Sequence, residues 1–361
     1  MSKYYIASIA GDGIGPEVNA AAIQVMREAC GENILEFQDL PGGANYYKST
    51  GVVVPNETYD GCVKADAILH GAAGLPGVTY PDGTEAGNDL HLVFRFDLDL
   101  YANVRPIKLL KGIRSPLLHY GDKQINYVIV RENTEGLYAS RGGGIVLRDE
   151  LAADTLLITK KGAERVAKVA CQIANNRNGA PKDGKRRVTV CDKANILRSY
   201  AFFREKCTDV ISKYSDIEAD YAYVDAMTLY MVQKPDFYDV IVTENMFGDI
   251  ISDLGAASIG GLGLAPSAEI GDNHALFQGA HGSAPDIAGK NLANPIATVL
   301  SGAMLLNWLG TQRGDEQLIA ASKRIETAVE QATATGRAMT RDLGGSSSCT
   351  DVTLEICRQL K

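Results

Sequence analysis

The chain is predicted to be an α/β protein with a largely parallel sheet, on three observations. Short apolar runs rich in β-branched residues alternate with segments of helical period. Hydrophobic residues make up 45% and charged residues 22%, an ordinary globular mix. At 361 residues the chain is long enough for two domains and a substantial core without disulfide or metal staples.

Residues 5–10 read as the first strand, since no long h-region or cleavage site follows them. Four more runs, 67–71, 127–131, 188–191 and 240–243, read as strands. A helix lies between the third and fourth, with Thr159 as its N-cap and Ala163, Val166, Ala170 and Ile173 along one stripe. Pro295 suits the first turn of a helix that runs through Leu306. Residues 176–187 are polar and basic, a surface turn before a strand. Residues 140–149, with Gly142-Gly143-Gly144, have no assigned element, and glycine-rich 255–266 is a hinge or the end of a domain.

Acidic residues exceed basic ones, 44 to 36, for a formal charge of −8. That balance gives no electrostatic reason to bind nucleic acid or an anionic membrane, though a local basic pocket stays open. No run of 18 apolar residues suggests a membrane span. Seven cysteines without a C-x-x-C pair argue against a disulfide framework or structural zinc. The expectation is a cytoplasmic enzyme.

Gly11-Asp12-Gly13-Ile14-Gly15-Pro16-Glu17 follows a strand and opens a helix, but its spacing is G-x-G-x-G rather than G-x-G-x-x-G. It is either a phosphate-binding turn or simply a tight one. Residues 179–185 spell G-x4-G-K, yet they precede a strand and Arg186 stands where a P-loop has Ser or Thr. Arg95, Arg105 and Arg131 lie among apolar residues, where they either grip carboxylates or form structural ion pairs. Asp249 and Asp253 are four apart, which on a helix gives one acidic face: a site for Mg²⁺ or Mn²⁺, or a solvated surface. Lys193 and Asp225 each follow an apolar stretch, where strand ends of α/β sheets face ligand. His281 and Ser283 are close, but the chain has no G-x-S-x-G elbow and a serine hydrolase is not expected.

Six segments in order resemble the β-decarboxylating dehydrogenases, which include isopropylmalate, isocitrate, homoisocitrate and tartrate/D-malate enzymes. They are the 11–18 motif, Leu100-Tyr101-Ala102-Asn103-Val104-Arg105-Pro106, Val130-Arg131-Glu132-Asn133-Thr134-Glu135-Gly136, Asp192-Lys193-Ala194-Asn195, Thr243-Glu244-Asn245-Met246-Phe247-Gly248-Asp249 and His281-Gly282-Ser283-Ala284-Pro285-Asp286-Ile287-Ala288-Gly289-Lys290. The resemblance implies an isocitrate/isopropylmalate dehydrogenase-like fold of two α/β domains, not a Rossmann fold. Residues 1–101 plus 256–361 would form the large cofactor-binding domain, and 102–255 the small domain carrying the dimer interface.

The roles it implies are these. Arg95, Arg105 and Arg131 would hold a malate-type substrate, with His91 and Asn195 also touching it. Asp249 and Asp253, with Asp225 of the partner subunit, would bind Mg²⁺ or Mn²⁺. Lys193 would take the hydroxyl proton and Tyr138 would protonate the enolate left by decarboxylation. His281, Gly282, Ser283, Ala284, Asp286, Ile287 and Asn294 would bind the dinucleotide. Relatives that use NADP carry Lys and Tyr where Asp286 and Ile287 stand, so NAD is expected. The resemblance also implies a homodimer whose active sites draw Lys193 and Asp225 from across the interface. Some relatives are non-catalytic regulatory subunits, but Tyr138, Lys193, Asp225, Asp249 and Asp253 are all present here.

Gln278-Gly279 departs from the Glu-Pro or Glu-Ala common before the His-Gly motif. His91 aligns with a leucine that isopropylmalate enzymes set against the isopropyl group, and Asn88 and Asp89 are polar as well. Asp89 is expected to repel an added carboxylate, so D-malate or tartrate is the favoured substrate. Isocitrate, homoisocitrate and 3-isopropylmalate are the alternatives, the last if Leu90 or Leu92 lines the pocket instead of His91.

Overall fold

The computed structural model describes residues 3–31, 33–117 and 125–361. The chain divides into two compact units: residues 1–98, 110–114 and 260–361, and residues 99–109 and 115–259. The excursion of 110–114 into the first unit has no signal in the sequence.

In the first unit the strands lie in the order Leu35–Asp39, Tyr4–Gly11, Ala67–Ala72, Ala275–Gly279, Pro266–Ile270. The first four run parallel and the last pair is antiparallel, which is not the order of a Rossmann sheet. Ala67–Ala72 is buried at every position, as expected of a central parallel strand. Helices Gly15–Cys30 and Ile296–Arg313 cover this sheet. Ile6, Ile68, Leu69 and Phe277 are all at most 1% exposed, each contributing about 1.5–3 kcal/mol by burial. Pro295 is the N-cap of Ile296–Arg313 rather than part of its first turn, and the helix outruns the expected end at Leu306.

In the second unit the order is Ala102–Lys108, Asn126–Glu132, Val240–Thr243, Arg187–Asp192, Glu218–Tyr223. Its first pair is antiparallel and the others parallel. The register aligns Thr243 with both Arg131 and Cys191, so three carboxyl strand ends lie in one row. Helix Lys160–Asn175 begins at Thr159, whose Oγ1 accepts from the Gly162 N–H at 3.0 Å. Helix Asn245–Ser258 runs straight through Gly255, and the boundary between the units falls after Ile259, where Gly260 and Gly261 are both at positive φ. Residues 140–149 contain one strand of a small hairpin, Ile145–Leu147 with Leu151–Ala153, exposed throughout. All seven cysteines are free, and no helix among the described residues is long and apolar enough to cross a membrane.

Candidate active site

At the row of strand ends in the second unit, Arg131 is 2% exposed and lies across helix Asn245–Ser258. It fits because residue 248 is glycine: a Cβ there would stand 2.6 Å from Cβ and Cγ of Arg131. Arg131 donates from Nε and Nη2 to Asn245 Oδ1 at 2.9 and 2.7 Å, and from Nη1 to Asp249. Arg105 donates to Asn103 Oδ1 at 3.0 Å and to Ser252 Oγ at 2.6 Å. Its Nη1 lies 3.3 Å from Asp249 and 4.0 Å from Asp253. Tyr138 Oη donates to Asp249 Oδ2 at 3.2 Å. Asp249 and Asp253 share one helix face, as their four-residue spacing predicts, and two arginines and a phenol gather on it.

Burial and the neighbouring Asp249 carboxylate raise the Tyr138 pKa, which keeps its proton in place at neutral pH. Burial also raises that of Asp253, against the pull of Arg105 and with the help of like-charged Asp249. Two hard oxygen donors whose charges repel each other are a fit for a divalent cation. Glu244 caps this helix, accepting from Met246 N and Phe247 N, and Asn245 Nδ2 donates to the Glu135 carbonyl at 2.9 Å.

Lys193 Nζ donates to Asp225 Oδ1 at 2.7 Å, and that bond is the main cause lowering the Asp225 pKa. Asn195 is exposed on the turn after Lys193. Among the described residues no three His, Cys, Asp or Glu side chains group as a metal site. Asp225 therefore does not join Asp249 and Asp253 within one chain.

In the first unit, Arg95 stands on helix Asp89–Asp97 and is clasped by Glu269 at 3.0 and 2.6 Å, with both side chains at most 5% exposed. His91 and Asn88 are four and seven residues earlier, on the same face as Arg95, with Leu92 at its margin. Leu90 is fully buried, so it does not substitute for His91. Asp89 lies about a third of a turn off that face. Its carboxylate accepts from Tyr80 Oη at 2.5 Å.

The glycine motif is a tight turn. Asp12 is fully buried and accepts from the backbone N–H groups of Ala44, Asn45 and Gly74 at 2.8, 2.9 and 3.0 Å. Gly13, at φ +58°, leaves no room for a Cβ beside the Ser283 carbonyl, which accepts from Ile14 N at 2.8 Å. The turn thereby seats the 281–287 loop, where Ala284 and Ile287 pack on Ile14, Val18 and Ala293. Ala284 sits at φ +37°, a strained value for a non-glycine residue. His281 faces Thr298 Oγ1 at 3.3 Å, and burial lowers its pKa, favouring the neutral ring. Gly282 and Asp286 are exposed, whereas Asn294 is engaged with Asp342 and with Ile296 N.

The sequence pattern of the isocitrate/isopropylmalate dehydrogenases matches residues 5–356. The chain belongs to that family. The 3-isopropylmalate/3-methylmalate dehydrogenase of Methanocaldococcus jannaschii is 42% identical over 357 residues, 99% of this chain and 98% of the relative. The 3-isopropylmalate dehydrogenase of Methanothermobacter thermautotrophicus is 39% identical over 362 residues, the whole of both chains. Isocitrate dehydrogenase from Methylococcus capsulatus has a solved structure with TM-score 0.86 at 36% identity, covering 99% of each chain. The β-decarboxylating dehydrogenase of Thermococcus kodakarensis gives 0.79 at 36%, covering 99% of this chain and 96% of the other. As a family member the protein is an oxidoreductase of the decarboxylating dehydrogenase type, with the family's α/β fold.

Reading the sequence did not single out Glu269, Asn245 or Glu135. Asn245 and Glu135 lie inside two of the family-like motifs, which is the signal that marks them. Glu269 is 174 residues from its arginine, with no local signal.

Proposed function

We propose that this enzyme oxidises and decarboxylates a (2R)-malate-type acid with hydride transfer to NAD, and that D-malate or tartrate is its substrate. The convergence of Arg105, Arg131 and Tyr138 on Asp249 carries the reading. Both guanidiniums are buried and already aimed at a carboxylate, so substrate carboxylates can take over that position with little reorganisation. Lys193 of the partner subunit accepts the C2 hydroxyl proton as hydride leaves C2 for the nicotinamide. The bond from C3 to the β-carboxylate then breaks, CO₂ departs, and its electron pair forms an enolate. Tyr138, held protonated by its surroundings, delivers a proton to C3. Asp249 and Asp253, with Asp225 of the partner subunit, would hold Mg²⁺ or Mn²⁺, which when bound supplies Lewis-acid polarisation of the C2 oxygen.

Exposed Asp286 supports NAD, since it can accept from ribose hydroxyls and would repel a 2′-phosphate. The competing arrangement, a phosphate held by Arg337 or Arg341, would favour NADP. A homodimer formed through the second unit is supported by its apolar surface. Val146, Ile196, Leu229 and Ile250 are 71, 70, 52 and 55% exposed there. Ile196 lies three residues from Lys193, and Leu229 four from Asp225.

The polar face of His91 and Asn88 beside Arg95 favours a small or polar C3 substituent. Apolar area is worth about 25 cal/mol per Å², and such a wall forfeits much of that for an isopropyl group. The names of the relatives and the nearby Leu92 support a second reading, 3-isopropylmalate. The deciding experiment follows NADH formation from D-malate, tartrate, isocitrate, homoisocitrate and 3-isopropylmalate at fixed Mn²⁺. Preference for D-malate or tartrate, abolished by excess EDTA and by Asp249→Asn, is expected. Preference for 3-isopropylmalate overturns the substrate reading, and full turnover in EDTA overturns the mechanism.

A further inference from the structure

Behind the Arg95 helix, a row of polar side chains crosses the sheet of the first unit. Leu276 pairs with Ile68 and Phe277 with Leu69, a register that continues to set Gln278 opposite His70. Gln278 also pairs with Ser267, so Glu269, two residues on, shares its face of the sheet. His70 and Glu269 are both fully buried.

The bonds along this row fix its proton positions. His70 Nδ1 lies 2.7 Å from Gln278 Oε1, an oxygen that only accepts, so Nδ1 donates and Nε2 keeps a lone pair. Gln278 Nε2 donates to Glu269 Oε1 at 3.3 Å, and Glu269 takes Arg95 with both oxygens. His70 Nε2 is buried without a hydrogen-bond partner among the described residues, and the His91 ring stands 6.2 Å away, centroid to centroid. Burial depresses the His70 pKa to about 4, so the imidazole is neutral and one carboxylate matches one guanidinium.

We propose that Gln278 is a positioning residue for substrate discrimination: bridging His70 to Glu269, its amide fixes Arg95 and His91, which share one face of helix Asp89–Asp97. This rests on the reading of that face as the substrate wall. Only a side chain with an acceptor at one end and a donor at the other completes the row. A carboxylate at 278 would set a second negative charge beside Glu269, in surroundings that screen it poorly, and draw Arg95 away from substrate. A methionine fills the space and makes neither bond.

The test uses the full-length enzyme, its best acid from the panel above, and two acids that differ only in carrying hydrogen or hydroxyl at C3. Gln278→Glu is expected to raise KM for the best acid about tenfold, with kcat changed by less than about threefold. Gln278→Met is expected to shift the hydroxyl-to-hydrogen ratio of kcat/KM by about threefold or more, and to lose that effect in a His91→Ala background. His70→Asn, which keeps a donor for Gln278, is expected to preserve the parent KM, and His70→Leu to raise it. Parent-like KM in Gln278→Glu and His70→Leu, with melting unchanged, overturns the proposal, as does an equal ratio shift with and without His91. If Gln278→Met does not fold, the Gln278→Glu and His70 results decide. Preference for 3-isopropylmalate would defeat the substrate reading alone, because the KM comparison is then made with that acid.

Discussion

Replacing Gly248 by alanine separates stability from function at the centre of the site. The new Cβ would lie 2.6 Å from Cβ and Cγ of Arg131 and 3.1 Å from Cδ, against 3.4 Å for an ordinary contact. The crowded atoms are the root of the Arg131 side chain, so rotating its tip gives no relief. Overpacking of this kind costs about 1–3 kcal/mol. The helix recovers about 1 kcal/mol from exchanging glycine for alanine. The net loss of about 0–2 kcal/mol corresponds to a fall in Tm of no more than about 8 °C. Function is hit harder: relief of the clash moves Arg131 by about 1 Å, and such a misplacement lowers kcat/KM about 100-fold. Thermal melting by circular dichroism and steady-state NADH formation measure the two effects. A folded variant with kcat/KM within about threefold of the parent would refute the placement of Arg131 against substrate.

Thr159→Ala removes the cap to Gly162 N and the hydroxyl's bond to Glu135, leaving the backbone bond from Thr159 N to Glu135 in place, and is expected to cost about 1–2 kcal/mol, read as a lower urea midpoint. Burial pushes the Glu132 pKa from 4.5 up to about 7, so the folded state binds more protons than the unfolded state between those values. Stability is therefore lost as pH rises from 4.5 through 7, by up to about 3 kcal/mol. Glu132→Gln should melt higher than the parent at pH 8, and the gap should close toward pH 5. With NAD the value of kcat/KM should exceed that with NADP by about tenfold or more, and the reverse order would remove the role given to Asp286. Mixing inactive Lys193→Ala and Tyr138→Phe chains should restore activity in part, and proven subunit exchange without rescue would count against shared sites.

The five strands expected from β-branched runs all lie where the sequence puts them, because a strand buried on both faces needs no partner-specific signal. Strand Glu218–Tyr223 went unread since it is an edge strand exposed at most positions, with no clean alternation. Pro266–Ile270 went unread because proline opens it and a glutamate sits within it. The charge of Glu269 is tolerable only through Arg95, a pairing that exists in three dimensions alone. The acidic face of Asp249 and Asp253 was legible from its four-residue spacing. That both arginines rest on Asp249 was not, for strand pairing decides it.

The cradle around Asp12 has a consequence for how the first unit forms. A single carboxylate gathers amide hydrogens from residues 44, 45 and 74, so the turn at 11–15 has no stable shape until those distant segments have docked. Bonds to a charged acceptor are worth about 1.5–3 kcal/mol each, so the loss of this one carboxylate would release all three amides at once. Because all three amides rest on Asp12, movement of the 11–15 turn frees them together, and Ala44, Asn45 and Gly74 are expected to exchange their amide protons at similar rates. The glycines that look like a nucleotide fingerprint thus let the turn close on Asp12, and through Gly13 and Ile14 they hold the 281–287 loop at Ser283.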